Sequence, residues 1–304
     1  MLRRVGAVLG AAAVAAAALV GLTVGVAHAD PGCPDVHWIG AAGSGERDDP
    51  TAYGGMGRVI FQSYRDLAQQ VQRDGRTITA EAVDYPAKAV PADGDLLGWA
   101  GFMSSVDAGT AALGAQYASF AQRCPASKVV LAGYSQGAMV VHRNLKPLAD
   151  SPNVAAALLI ADGDRLPDDN VITMGSVIAT PGKGKGVAQD WPILAHAPAK
   201  LSLTIGSRTI SVCDRGDAVC DYDSDSKQVT PAAVAIHTSY ALSTGGGYAW
   251  TTPVYQLVGP SPQISAPGLD ARAMNSTTTP AGSSGAASTA TTASIAPAGD
   301  IPAR

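Results

Sequence analysis

The sequence predicts an α/β fold, a three-layer sandwich whose central, mainly parallel sheet is covered by helices on both faces. Three observations lead there. Short β-like runs alternate with helical patterns at a spacing suited to strand–helix–strand crossovers. An apolar run ending in Leu131-Ala132 enters Gly133-Tyr134-Ser135-Gln136-Gly137 and then a helical pattern, which is the sharp strand-to-helix turn written G-x-S-x-G. The stretch 30–259, about 230 residues, suits one domain of this kind.

The elements follow in order. Asp35–Ala41 (DVHWIGA) reads as the first strand, with Gly43-Ser44-Gly45-Glu46 as a turn after it. From Gly55 to Gln72, Met56, Val59, Ile60, Leu67 and Val71 share one helix face. Thr77–Val83 reads as the second strand, ended by Tyr85-Pro86. A loop rich in Pro, Gly and Asp leads to Trp99 and Phe102. Ser105–Arg123 is helical, with Val106, Leu113, Tyr117 and Phe120 in phase. The elbow strand and its helix then run to about Leu148. Val154–Ala161 (VAAALLIA) reads as a buried parallel strand, and Leu201–Ile205 as another. Between them, Asp164–Lys200 lacks a clean period and contains Gly182-Lys183-Gly184-Lys185-Gly186. It is read as plain surface loop rather than a substrate-binding flap. Pro231–Leu242 reads as a late helix. Right-handed crossovers would bring the strand C-termini, and with them the elbow, to one edge of the sheet.

The two ends differ in kind from this middle. Arg3 and Arg4 precede a long Ala/Val/Leu/Gly run, and Ala27-His28-Ala29 supplies an A-x-A cleavage pattern. Residues 1–29 are therefore expected to be a signal peptide, with the mature chain starting at Asp30. The competing reading is an uncleaved anchor, since the run is long enough to span a bilayer. No later stretch is apolar enough to cross a membrane. From Pro260 to Arg304, 34 of 45 residues are Ser, Thr, Ala, Pro or Gly. Such a segment buries too little apolar surface to order, so 260–304 is expected to be a disordered tail, suited to a cell-wall spacer.

Loss of Arg3 and Arg4 takes the net charge from −4 to −6. That argues against nucleic acid and against an anionic lipid surface as electrostatic partners. Four cysteines remain, Cys33, Cys124, Cys213 and Cys220. An even number in an exported chain points to two disulfides, with three possible pairings. Cys213 and Cys220 lie close enough to pair around a tight loop. Cys33 and Cys124 would then tie the mature N-terminus to the segment before the elbow strand, a closure worth on the order of 4–5 kcal/mol in the chain-entropy account. A zinc site is disfavoured, because C-x6-C without a nearby histidine lacks ligand spacing; no metal or cofactor is expected.

The elbow exposes the Ser135 hydroxyl and sets the Gln136 N–H at a helix start, facing a developing oxyanion. Serine needs a base, usually histidine, oriented by a carboxylate. The mature chain offers His37, His142, His196 and His237. With the order Ser, acid, His, His37 drops out. His142 lies two turns down the elbow helix, roughly 10 Å along its axis, too far to share a proton. His196 sits in a Pro-rich loop with few held carboxylates before it. His237 follows the loop Cys213–Cys220, a cross-linked support for an acid. Within or beside that loop, Asp214, Asp217 and Asp221 compete, and local chemistry alone does not choose.

These residues resemble the cutinase family of serine esterases, particularly the secreted actinobacterial cutinase-like proteins. The matching features are Cys33, Ala42-Gly43-Ser44-Gly45-Glu46, Tyr85-Pro86-Ala87, Ser105 with Gly109, Cys124, Gly133-Tyr134-Ser135-Gln136-Gly137, Cys213 to Asp217 to Cys220, and His237 with Tyr240. They cover about 33–245. The resemblance implies an α/β-hydrolase-type (cutinase-like) sandwich with disulfides Cys33–Cys124 and Cys213–Cys220. It implies Ser135 as nucleophile, Asp217 as orienting acid and His237 as base. It also implies an oxyanion hole from Gln136 N–H and from Ser44. Extra length in Asp164–Lys200 and Tyr222–Thr230 departs from the compact members; either stretch is placed to wall an acyl site, so substrate size stays open.

The leading expectation is a secreted monomeric esterase acting on short to medium acyl esters or lipid esters. Phospholipid or thioester hydrolysis, or acyl transfer in the cell envelope, would use the same three side chains. A non-catalytic wall protein presented by the tail comes last.

Overall fold

The computed structural model describes residues 32–260, apart from 92–94, 181–183, 192–193, 195–198, 226–228 and 243–247. The expected signal peptide, the tail beyond Pro260, Lys183 and His196 lie outside the described residues.

Six strands form one sheet: β1 (Val36–Ala41), β2 (Ile78–Ala82), β3 (Lys128–Tyr134), β4 (Val154–Ile160), β5 (Ile172–Met174) and β6 (Thr209–Val212). Their order is β2-β1-β3-β4-β6-β5, and every pairing is parallel. The longer helices are α1 (Arg58–Arg73), α2 (Leu96–Arg123), α3 (Gln136–Leu145), α5 (Pro231–Ser239) and α6 (Thr251–Val258); α4 (Leu203–Gly206) is a single turn. Alternation along the central strands sorts their side chains between two cores. Ile39, Ala41, Val129 and Leu131 pack with α2 and α3, whereas Val36, Trp38, Val130 and Ala132 pack with α1 and α6. β4 reads VAAALLI and is buried along its whole length, as a strand covered on both faces must be.

The topology decides where the site lies. From β1 the chain crosses by α1 to β2 on one side, then returns by α2 to β3 on the other. β1 and β3 are therefore neighbours whose following loops diverge, which is where open α/β sheets place their ligands. Ala41 pairs with Gly133 at that edge, so the turn after β1 and the elbow after β3 emerge side by side.

Three expectations need correction, and one element was not foreseen. Leu201–Ile205 is not a strand. Its L-S-L-T-I alternation is misleading: Leu201 and Ile205 are buried at an i, i+4 spacing while Leu203 is 74% exposed, which is the pattern of a helical turn. The strand comes later, at β6. The second long helix starts at Leu96, not Ser105, capped by the Asp95 carboxylate accepting from Gly98 N–H at 2.8 Å. Asp164–Lys200 is not plain loop; it holds the edge strand β5 and two short 3-10 turns, Ser176–Ala179 and Val187–Gln189. Finally, α6 has no counterpart in the sequence reading. It packs Val254 and Val258 against the α1 side of the sheet.

Both disulfides exist as expected, Cys33–Cys124 and Cys213–Cys220.

Candidate active site

The elbow carries its constraint in the backbone. Ser135 has φ 54° and ψ −118°, a left-handed conformation that costs a non-glycine residue about 1–3 kcal/mol. Closely packed glycines permit the turn. A Cβ on Gly133 would collide with the Gly137 carbonyl, and one on Gly137 with the Ala41 carbonyl. The Ser135 N–H is held by the Ile160 carbonyl of β4 at 2.9 Å.

Three distant side chains meet here. His237 Nε2 lies 3.0 Å from Ser135 Oγ. His237 Nδ1 lies 3.1 Å from each Asp217 carboxylate oxygen. An ionised carboxylate can only accept, so Nδ1 carries the proton and Nε2 is left to accept from the serine hydroxyl. Asp217 is wholly buried. Its Oδ1 also accepts from Val219 N–H at 2.6 Å and Cys220 N–H at 3.0 Å, inside the loop closed by Cys213–Cys220. The competing acids work elsewhere. Asp214 accepts from Ser176 N–H and Oγ, and Asp221 accepts from Gly184 and Gly216 N–H.

The imidazole is steadied from its own backbone. Tyr134, just before the serine, donates its hydroxyl to the His237 carbonyl at 2.8 Å. Its ring stacks on the imidazole at 5.3 Å between centroids. Burial, then the Glu46 and Asp217 charges, keep the Tyr134 phenol neutral by raising its pKa.

Ser44 and Gln136 line the same cleft as Ser135 and His237. Ser44 Oγ is buried and has no hydrogen-bond partner among the described residues. A buried hydroxyl left unpaired is uncommon and calls for a reason. The turn that carries it is tied down by Glu46, whose carboxylate accepts from Gly43 N–H at 2.7 Å and Arg58 N–H at 3.1 Å. Burial raises the Glu46 pKa, and those two N–H groups pull it part of the way back. The sequence places Glu46 in the Gly43-Ser44-Gly45-Glu46 turn but carries no local sign of this clamp. Gln136 opens α3, so its N–H is one of the donors a helix start leaves free. Its side chain is fixed by Ser105 Oγ at 3.3 Å and the Lys88 carbonyl at 3.2 Å.

Beyond this polar end the cleft is apolar and has a volume of about 300 Å³. Trp99, Phe102, Met139, Val187, Trp191 and Leu194 are among its walls. Val187, Trp191 and Leu194 come from the Asp164–Lys200 excursion, which the residue pattern alone assigns to plain surface loop. No local signal singles them out, since apolar residues recur along this stretch without a clean period. Among the described residues no group of three or more His, Cys, Asp or Glu is arranged to hold a metal ion. No helix among them is long and apolar enough to cross a membrane.

A family model described as Cutinase matches residues 32–251. Phospholipase Culp4 of Mycobacterium tuberculosis is 31% identical over 216 residues, covering 69% of this chain and 77% of that protein. Cutinase CUT1 of Coprinopsis cinerea is 26% identical over 219 residues, covering 72% and 82% respectively. Among solved structures, a cutinase-like protein from Cryptococcus sp. aligns with a TM-score of 0.51 at 20% identity, over 77% of this chain and 100% of that one. That last likeness is one of fold.

Proposed function

The chain belongs to the cutinase family and is a carboxylic ester hydrolase, and we propose that it is an exported serine esterase working through Ser135, His237 and Asp217. The observation that carries this reading is the 3.0 Å approach of His237 Nε2 to Ser135 Oγ at the mouth of an apolar cleft. Ser135 Oγ attacks the ester carbonyl while its proton passes to Nε2. Asp217 stabilises the imidazolium. The carbonyl oxygen becomes an oxyanion held by Gln136 N–H and Ser44. Collapse breaks the bond to the alcohol, which leaves with the proton from Nε2. Water then enters, gives a proton to Nε2 and attacks the acyl-enzyme, releasing the acid and restoring Ser135.

The apolar walls favour short to medium acyl chains or lipid esters. The likeness to a phospholipase of Mycobacterium tuberculosis supports testing phospholipid in the same series. The A-x-A site and the two disulfides support export, and the Ser/Thr/Ala/Pro tail suits association with the cell wall. The test is hydrolysis of p-nitrophenyl esters of graded chain length, with a phospholipid and a thioester alongside, by the native chain and by Ser135→Ala. Activity retained by Ser135→Ala would refute the serine mechanism. Excess glycerol or trehalose in the assay separates hydrolysis from acyl transfer, since only transfer yields a new ester.

A further inference from the structure

Part of the cleft wall is aromatic. Trp99 of α2 meets Phe102 edge-on at 5.5 Å, and meets Trp191 edge-on at 5.2 Å. Trp191 in turn meets Tyr222 at 6.0 Å and 88°. The Trp191 Nε1–H donates to the Tyr222 hydroxyl at 2.7 Å. The indole is therefore held on one side by an aromatic edge contact and on the other by a hydrogen bond, which gives it a single orientation.

The segment beneath it is equally fixed. Gly186 N–H bonds to the Arg165 carbonyl at 2.9 Å, and Ala188 N–H to the Gly163 carbonyl at 3.0 Å. Val187 N–H bonds to the Val219 carbonyl at 2.8 Å, two residues from the acid Asp217. The wall is thus built on the loop after β4 and on the acid's own loop.

We propose that Trp191 determines acyl-chain length by walling the cleft against longer chains. This rests on the reading of Ser135 and its cleft as the ester site. Trp191 lines the same 300 Å³ cleft as Ser135 and His237, at the low end of the size range for small-molecule sites. The alternative occupant is a sugar ring, which would stack on an open indole face. Here the two indoles meet edge to face and Val187 and Leu194 sit beside them, surroundings suited to methylenes.

While a chain still finds room, each added methylene raises kcat/KM about fourfold. Once it meets the indole, kcat/KM falls. The experiment compares butyrate, octanoate, laurate and palmitate p-nitrophenyl esters on the native chain, Trp191→Ala, Trp191→Phe and Tyr222→Phe. Trp191→Ala is expected to raise the laurate-to-butyrate ratio of kcat/KM by about tenfold or more. Trp191→Phe should move it by less, and Tyr222→Phe by less again, because it frees the indole without removing it. A small fluorophosphonate probe, needing no acyl pocket, should label the native chain and all three variants at similar rates. Native protein that resists the probe would overturn the serine-esterase reading and this inference with it. Probe-reactive variants with an unchanged chain-length profile would overturn the role of Trp191 alone. So would a loss confined to an acetylated sugar ester, assayed beside the series, in Trp191→Ala, which would make the indole a sugar platform. If Trp191→Ala does not fold, Trp191→Phe decides: a ratio equal to the native one rejects the proposal.

Discussion

Among the described residues three imidazoles pair with a carboxylate, His37 with Glu81, His142 with Asp162 and His237 with Asp217, and only the last meets a serine. His237 Nδ1 is 3.1 Å from Asp217, and His142 Nδ1 is 2.6 Å from Asp162. Both carboxylates are buried. The helices that carry the imidazoles are opposites. His142 lies on α3, where nine of ten residues are buried; His237 lies on α5, where none is. The second nitrogen also differs. His237 Nε2 faces Ser135 Oγ, while His142 Nε2 has no hydrogen-bond partner among the described residues and sees only Asp169 Oδ2 at 4.0 Å. Burial alone would lower the His142 pKa, but Asp162, with Asp164 and Asp169, outweighs it and pushes it up to about 9. A histidine that is already a cation at neutral pH has no lone pair with which to take a proton. A buried His–Asp pair is thus not a signature of catalysis. What counts is access for the free nitrogen and a nucleophile against it.

The sharpest way to break this contrast is to remove each member and measure turnover on a p-nitrophenyl ester. Ser135→Ala and His237→Ala are expected to lose about 10⁴–10⁶ in kcat with little change in melting temperature. His142→Ala should stay within a small factor of the native rate. Equal losses from His237→Ala and His142→Ala would show that the two pairs had been told apart wrongly. Asp217→Asn comes next, with a loss of about 10⁴ in kcat. The amide removes the charge that stabilises the imidazolium and allows the wrong tautomer. A loss below tenfold would place the orienting acid elsewhere, Asp214 and Asp221 being the neighbours to try.

Much of this was legible in the residues, for local reasons. The elbow is a backbone problem, and its glycines write it directly into the sequence. The central strands are continuous apolar runs, and α1 has one clear apolar face. Three things were not legible. The start of α2 at Leu96 was hidden because Leu96 and Leu97 are exposed, at 72% and 87%, so no buried periodicity marks that turn. β5 and β6 are three and four residues long, too short for a period to show. Trp191 reaches the cleft only because Gly163, Arg165 and Val219 supply carbonyls to its segment, and such long-range support leaves no trace near residue 191. The choice of Asp217 over Asp214 and Asp221 came from family resemblance alone. In the fold it is the Asp of that loop whose carboxylate meets His237.

Ser44 tests the oxyanion side of the site with a smaller expected effect. Its hydroxyl is buried and unpaired among the described residues, consistent with a donor waiting for a transition-state oxygen. Ser44→Ala keeps the backbone N–H and is expected to lower kcat about 10²-fold, with KM little changed. Native kcat in Ser44→Ala would leave the N–H as the whole of that residue's contribution.

The smallest expected effect on activity accompanies a distinct effect on stability. In the folded chain the His142 pKa is raised to about 9 from an ordinary 6.5, so over that interval the folded state binds more protons than the unfolded one. Its stabilising contribution is full below pH 6.5 and is lost as pH rises towards 9. Removing one partner of such a buried pair typically costs about 3–5 kcal/mol, because Asp162 keeps its charge and loses its counter-ion. Urea unfolding at pH 6 should therefore show His142→Ala far less stable than the native chain, with the gap narrowing steadily between pH 6.5 and 9. Asp164, bonded to Arg143 at 2.7 Å, belongs to the same network: burial raises its pKa and the His142 charge lowers it, so Asp164 carries part of the narrowing. A gap that stays constant over that range would mean His142 is neutral in the folded state. The contrast between the two pairs would then rest on access to a nucleophile alone, and not on charge.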